Sequence, residues 1–159
     1  MSTWHKRLRQ FWFLPLVFLL FLSLPGCAAP SPTTTDTVRV IEVIDGDTIA
    51  IAGGDRVRYI GIDTPEIHPQ VEAFGIEAWQ ANRELVEGKF VRLERDISET
   101  DKYGRLLRYV WVDGTMVNAE LVRRGLAEAK AYPPDTKYQI YLEQVETEAR
   151  QAGRGMWAK

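Results

Sequence analysis

The 159-residue chain is poor in the residues that most often do chemistry. It has one cysteine, Cys27, and two histidines, His5 and His68. One cysteine cannot form an internal disulfide, so the fold must hold by its core alone. Zinc sites need clusters of Cys or His, and there are none. A Ser-His-Asp or Cys-His nucleophile lacks its partners, because His68 stands alone in a Pro-flanked loop. No Gly-rich phosphate loop of the Walker or dinucleotide-binding type occurs, and no internal repeat is visible. An excess of one charge is lacking too: 20 Lys+Arg face 22 Asp+Glu, a formal net charge of −2. That excludes a binder that works by bulk polybasic or polyacidic attraction. Hydrophobic residues at 45% and charged residues at 26% are those of one ordinary globular domain.

The charge that is present is unevenly placed. Lys6, Arg7 and Arg9 stand in a stretch of 27 residues without Asp or Glu; without them the balance is 17 basic to 22 acidic residues, or −5. These three precede an apolar run from Phe11 to Leu24, broken by Pro15 and short for a bilayer, which takes about 20 residues to span. Residues 1–26 read as a signal peptide of lipoprotein type, with Cys27 directly after Leu24-Pro25-Gly26 as the lipidated residue. Two other readings are ordinary secretion, with cleavage nearby such as after Ala29, and an uncleaved single-span anchor. All three place the domain outside the cytoplasm, and the first anchors it to a bacterial membrane through Cys27. Residues 27–36 are small, polar and Pro-rich and form a tether. The globular domain is expected over 37–159.

Within it, Val38–Ile44, Thr48–Ala52 and Arg56–Ile62 read as strands joined by Asp45-Gly46 and Gly53-Gly54-Asp55, a meander. Val71, Phe74, Ala78, Ala81 and Leu85 then fall at helical steps, with Gly88 as the stop. Phe90–Arg95 and Leu106–Val112 are two further strands. Asn118 reads as the N-cap of a short helix through Arg124, and Thr136-x-x-Gln139 as a capping box. It opens a last helix with the stripe Leu142, Val145, Ala149 and Ala152. This order predicts an α+β fold that is mainly β-barrel: a five-stranded OB-fold barrel with about three packed helices.

Three turns carry more chemistry than turns require: Asp45-Gly46-Asp47-Thr48, Asp63-Thr64-Pro65-Glu66 and Asp101-Lys102-Tyr103-Gly104-Arg105. Asp47 and Asp63 fall at strand ends, and two carboxylates brought together require a cation or a proton between them. Oxygen donors without His or Cys favour Ca²⁺ or Mg²⁺. Pro65 restricts Thr64 to extended geometry, which can aim the Thr64 carbonyl into the same space. Arg58 alternates with Ile60 and Ile62, so on an inward face it needs a carboxylate or a phosphate. With Arg105 it can hold phosphate oxygens in a bidentate way, and Glu66 is a candidate general base.

These stretches together resemble the staphylococcal nuclease (thermonuclease) family. The resemblance runs through Val43–Thr48, Val57–Glu66, Asp101–Leu106, Val112–Asn118, Leu121–Ala127 and Gly155-Met156-Trp157. It implies a Ca²⁺-dependent OB-fold nuclease acting on DNA and RNA, usually monomeric, that leaves 3′-phosphate ends. Asp47 and Asp63 would be the metal carboxylates, and Thr64 would add its carbonyl. Arg58 and Arg105 would stabilise the phosphate transition state, and Glu66 would serve or position the base. Lys102 and Tyr103 match substrate-contacting loop residues. Tyr132 is the one aromatic in the segment where relatives contact the nucleotide. Two rivals are a catalytically inactive nuclease-like module that binds nucleic acid or protein, and a structural lipoprotein with a cation-stabilised fold. The presence of Asp47, Arg58, Asp63, Glu66 and Arg105 together favours the enzyme.

Overall fold

The computed structural model describes residues 37–158, so the expectations for the leader, Cys27 and the tether lie outside the described residues. Strands β1 (Thr37–Val43), β2 (Thr48–Ile51) and β3 (Arg56–Tyr59) form the expected antiparallel meander. β1 also pairs with β5 (Phe90–Glu94), and β5 with β6 (Leu106–Val112), both antiparallel. β6 returns to β3 in parallel, with Val57 opposite Leu106 and Arg58 opposite Leu107, and closes a five-stranded barrel of OB type. Closure leaves no free sheet edge within the barrel, and alternate residues fill its interior. Val40, Ile49, Val57, Val91 and Val110 are fully buried there.

Helices α1 (Gly75–Val86), α2 (Val117–Arg123) and α3 (Gln139–Gln151) pack around the barrel. A short β7 (Thr115–Met116) folds back on β6. β4 (Ile62–Asp63) pairs with β8 (Glu128–Ala129) in a separate two-stranded ribbon.

Five local expectations are corrected, the last of them at Asn118. The third strand does not run to Ile62: Gly61 turns at φ 78, and Ile62–Asp63 leave the barrel wall to join β8. The apolar stripe does not begin at Val71, which is exposed. Phe74 takes the left-handed φ of 67, and the helix starts at Gly75. Thr136 offers Gln139 only its backbone carbonyl, and α3 has no side-chain cap. Its stripe Leu142, Val145 and Ala149 is buried as expected, whereas Ala152 lies past its end.

Asn118, the expected cap, sits inside the first turn of α2 and is fully buried. Its amide accepts the Val110 N–H and donates to the Ile60 carbonyl, both at 2.9 Å. It thus ties α2 to β6 and to the end of β3, where the chain leaves the barrel. Asn118→Ala would strand a buried N–H and a buried C=O, each costing about 1–3 kcal/mol. The expected result in urea unfolding is a loss of about 2–6 kcal/mol, and a loss under about 1 kcal/mol would show that the two groups find other partners.

Candidate active site

The Asp45–Thr48 turn between β1 and β2 is held from outside by α1. Trp79 donates its indole N–H to the Val43 carbonyl at 2.9 Å, and Asn82 donates to the Asp45 carbonyl at 3.1 Å. Asn82 also accepts the Tyr59 hydroxyl at 2.9 Å, and burial keeps that phenol far above its ordinary pKa. Within the turn, Asp45 Oδ1 accepts the Asp47 N–H at 2.9 Å, the self-closing turn that short Asp side chains favour.

Asp47 is directed inward and is 1% exposed. Its Oδ2 accepts the Thr64 N–H at 2.9 Å and the Thr64 hydroxyl at 3.0 Å. This contact depends on Gly46, because a Cβ there would lie 2.5 Å from Thr64 Oγ1. The other oxygen, Oδ1, pairs with Arg58 Nη1. Arg58 Nη2 reaches Asp63 Oδ1 at 2.6 Å and the Ile62 carbonyl at 3.3 Å. One guanidinium therefore spans both predicted metal carboxylates. Lys130, the residue after β8, closes on the far oxygen Asp63 Oδ2 at 2.7 Å.

Glu66 is placed by the loop that precedes α1. Its N–H donates to the Glu72 carboxylate at 3.0 Å, and its carbonyl accepts the Glu72 N–H at 2.9 Å. Gly75 lets that loop press on the helix, since a Cβ there would lie 2.5 Å from the Glu66 carbonyl oxygen. On the opposite side, Asp101 organises its own loop. It accepts the backbone N–H groups of Tyr103 and Arg105 and the Arg105 Nε, the last at 2.7 Å. Burial raises the Asp101 carboxyl, but the Arg105 side chain and these N–H groups outweigh it and hold it low.

Arg58, Glu66 and the Asp101–Arg105 loop line one cleft of about 500 Å³. Arg58, Glu66, Lys102, Tyr103, Arg105 and Tyr132 all face it. Asp47 lies behind it, while Asp63 and Thr64 line a smaller pocket linked to it through Arg58. Of the expected site, Cys27 alone lies outside the described residues. Three acidic residues line the cleft without a role expected from the sequence: Asp45, Asp101 and Asp135. Asp45 and Asp101 each open a motif but have the composition of turn residues. Asp135 follows Pro133-Pro134 and carried the signal only of a turn residue. It is 3% exposed, accepts the Ile97 and Ser98 N–H groups at 2.9 and 2.7 Å, and donates its own N–H to the Tyr132 carbonyl.

The carboxylates crowd one another. Burial raises Asp45, against hydrogen bonds from Thr48 and the charges of Arg58 and Arg105. Partial burial raises Glu66, the charge of Asp45 raises it further, and Arg58 opposes both. Among the described residues no three His, Cys, Asp or Glu side chains converge as a ready metal cage. The candidate donors are instead the carboxylate oxygens of Asp47 and Asp63, which Arg58 bridges, while Thr64 turns its N–H and hydroxyl toward Asp47. That chemistry fits a hard divalent cation and not a soft one.

Two outcomes follow from this packing. Gly46→Ala is expected to force the 45–48 turn off Thr64 and to cost about 1–3 kcal/mol in urea unfolding, the usual range for overpacking. An unchanged midpoint would mean that Thr64 yields freely. Asp135 supplies an acid limit. Burial raises its carboxyl, and the Ser98 and Ile97 donors outweigh this and lower it. Its contribution is therefore complete above the ordinary Asp range near pH 4 and is lost as pH falls through the lowered value. Asp135→Asn should flatten the thermal-stability profile in that acid window, and an unaltered profile would remove Asp135 from acid unfolding.

The staphylococcal nuclease homologue family model matches residues 56–159. The thermonuclease of Staphylococcus intermedius is 39% identical over 156 residues, covering 92% of this chain and 93% of that protein. The thermonuclease of Staphylococcus hyicus is 40% identical over 137 residues, covering 82% of this chain and 81% of that protein. An SPbeta prophage-derived endonuclease of Bacillus subtilis is 41% identical over 130 residues, 77% of this chain and 44% of the relative. Likeness of this extent, on a closed barrel that gathers the motif residues around one cleft, places the chain in a family: it belongs to the staphylococcal nucleases.

Proposed function

We propose that this chain is an exported nuclease that hydrolyses phosphodiester bonds of DNA and RNA with the help of Ca²⁺. The observation that carries the reading is the cleft in which Arg58, Glu66 and Arg105 converge beside the Asp47–Asp63 pair. Asp47, Asp63 and the Thr64 carbonyl would hold the cation, which when bound supplies charge neutralisation at a phosphate oxygen.

The chain's own groups do the rest. Arg105, 29% exposed and backed by Asp101, presents its fork to the phosphate. Arg58, nearly enclosed between two carboxylates, holds a second position against the charge that builds on phosphorus. Glu66 takes a proton from the attacking water. Its raised pKa brings it closer to the operating pH, which makes it a better base than an ordinary surface Glu. The new bond forms from water oxygen to phosphorus, the bond to the leaving oxygen breaks, and the leaving oxygen is protonated, giving a 3′-phosphate end. Lys102 and Tyr103 at the rim meet the flanking chain, and Tyr132 offers a face to a base. Cys27 would anchor the protein to a membrane, and the domain would act as a monomer.

Hydrolysis of single-stranded DNA, duplex DNA and RNA is measured with Ca²⁺ and with a chelator, beside Glu66→Gln and Arg105→Gln. Each variant is expected to lose at least about 10²-fold in kcat while melting as the parent does. Calcium-independent cleavage, or near-parental turnover by Glu66→Gln, would overturn the mechanism. A folded protein that binds calcium and nucleic acid without cutting would be a binding module. Release of Cys27→Ala from membranes that retain the parent tests the anchor.

A further inference from the structure

We propose that Lys130 is an internal counter-ion of Asp63, one that calcium must displace, and that it sets the metal affinity of the site. The inference rests on the proposed metal role of Asp63. Asp63 has both oxygens engaged by cations: Oδ1 by Arg58 and Oδ2 by Lys130. The two cations are held very differently. Arg58 is 14% exposed and also neutralises the buried Asp47, so moving it would strand a carboxylate that is 1% exposed. Lys130 is 51% exposed, and its ammonium can swing into water at little cost.

The placement of Lys130 is built into the fold. β8 pairs with β4 so that Glu128 stands opposite Asp63, and the Lys130 N–H donates to the Gly61 carbonyl at 2.9 Å. This backbone bond fixes the origin of the side chain beside the Asp63 carboxylate. Tyr132 lies two residues on, its ring centroid 5.6 Å from the ammonium, and offers the displaced cation a second resting place. Coulomb competition then follows: a monovalent cation on Asp63 must be removed before a divalent one takes full charge from it.

The test is calcium titration of the full chain by calorimetry and by the calcium-induced rise in Tm, for the parent, Lys130→Met and Lys130→Arg. Lys130→Met is expected to bind calcium about two- to fivefold more tightly at low salt, the range an exposed ion pair is worth. The advantage should shrink in about 1 M salt, where the screening length falls to about 3 Å. Lys130→Arg should restore the parental affinity. Weaker or unchanged calcium binding by Lys130→Met would overturn the inference and leave Lys130 a rim charge or a support for Asp63. A parent chain that shows no calcium heat and no rise in Tm would instead defeat the metal reading itself.

Discussion

The bridge from Arg58 to Asp47 and Asp63 is the constraint on which the site depends. A guanidinium so nearly enclosed is costly to bury without partners, and Asp47 is costlier still. Each therefore requires the other, and the three-residue set requires the turns that bring it together. Thr48 stands opposite Arg58 across β2 and β3, so barrel pairing already carries Arg58 to the neighbourhood of Asp47. The departure of the chain at Gly61 then carries Asp63 back to the same guanidinium. The break in the third strand is thus a working part of the site. A strand continued to Ile62 would have kept Asp63 in line with the barrel wall.

Closure of the barrel does the same for the second arginine. The parallel β3–β6 pairing sets Arg58 opposite Leu107, and Leu107 lines the cleft. Arg105 precedes it by two residues, just before β6, at the end of the loop that Asp101 ties, and lines the same cleft. The two arginines reach one space because two distant strands pair in one register. α1 adds rigidity from behind: Trp79 and Asn82 hold the first turn, and Gly75 seats the loop that carries Glu66. Groups that must stay aligned within a fraction of an ångström are thereby hung on strands and a helix.

The sequence was most legible where local chemistry and tertiary role coincide. Alternation gave the strands of the meander, because each buries one face in the barrel. The charged motifs gave the cleft residues, because turns at one end of a small barrel must meet. Legibility failed where a residue answers to a distant partner. Asn118 has the composition of a cap, yet its amide serves Val110 and Ile60. Thr136 and Gln139 have capping-box spacing, but only the Thr136 carbonyl is used. Val71 keeps helical step with Phe74, and the left-handed turn at Phe74 cannot be read from periodicity. Lys130 carried no local signal at all, since its partner is 67 residues away.

An acidic domain that acts on a polyanion needs its charges sorted by depth. The carboxylates of Asp47, behind the cleft, and Asp101, in its lining, are the less exposed ones, and each is paired with an arginine. The more exposed charges at the rim are Lys102, Arg105 and Lys130, interleaved with Tyr103 and Tyr132. A phosphodiester approaching from solvent therefore meets cations and aromatic faces on this side of the cleft, with Glu66 as the exposed acid. Bulk attraction contributes nothing at a net charge of this sign, so recognition has to be short-range and screened little by salt only where it is buried. Burial pushes Asp45 and Glu66 upward against the charge of Arg58, while the Arg105 side chain and two backbone N–H groups hold Asp101 low. Asp45 and Glu66 feel Arg58 only through space, whereas Asp101 is hydrogen-bonded to Arg105, so a positive charge entering the cleft that Asp45 and Glu66 line would stabilise those two most.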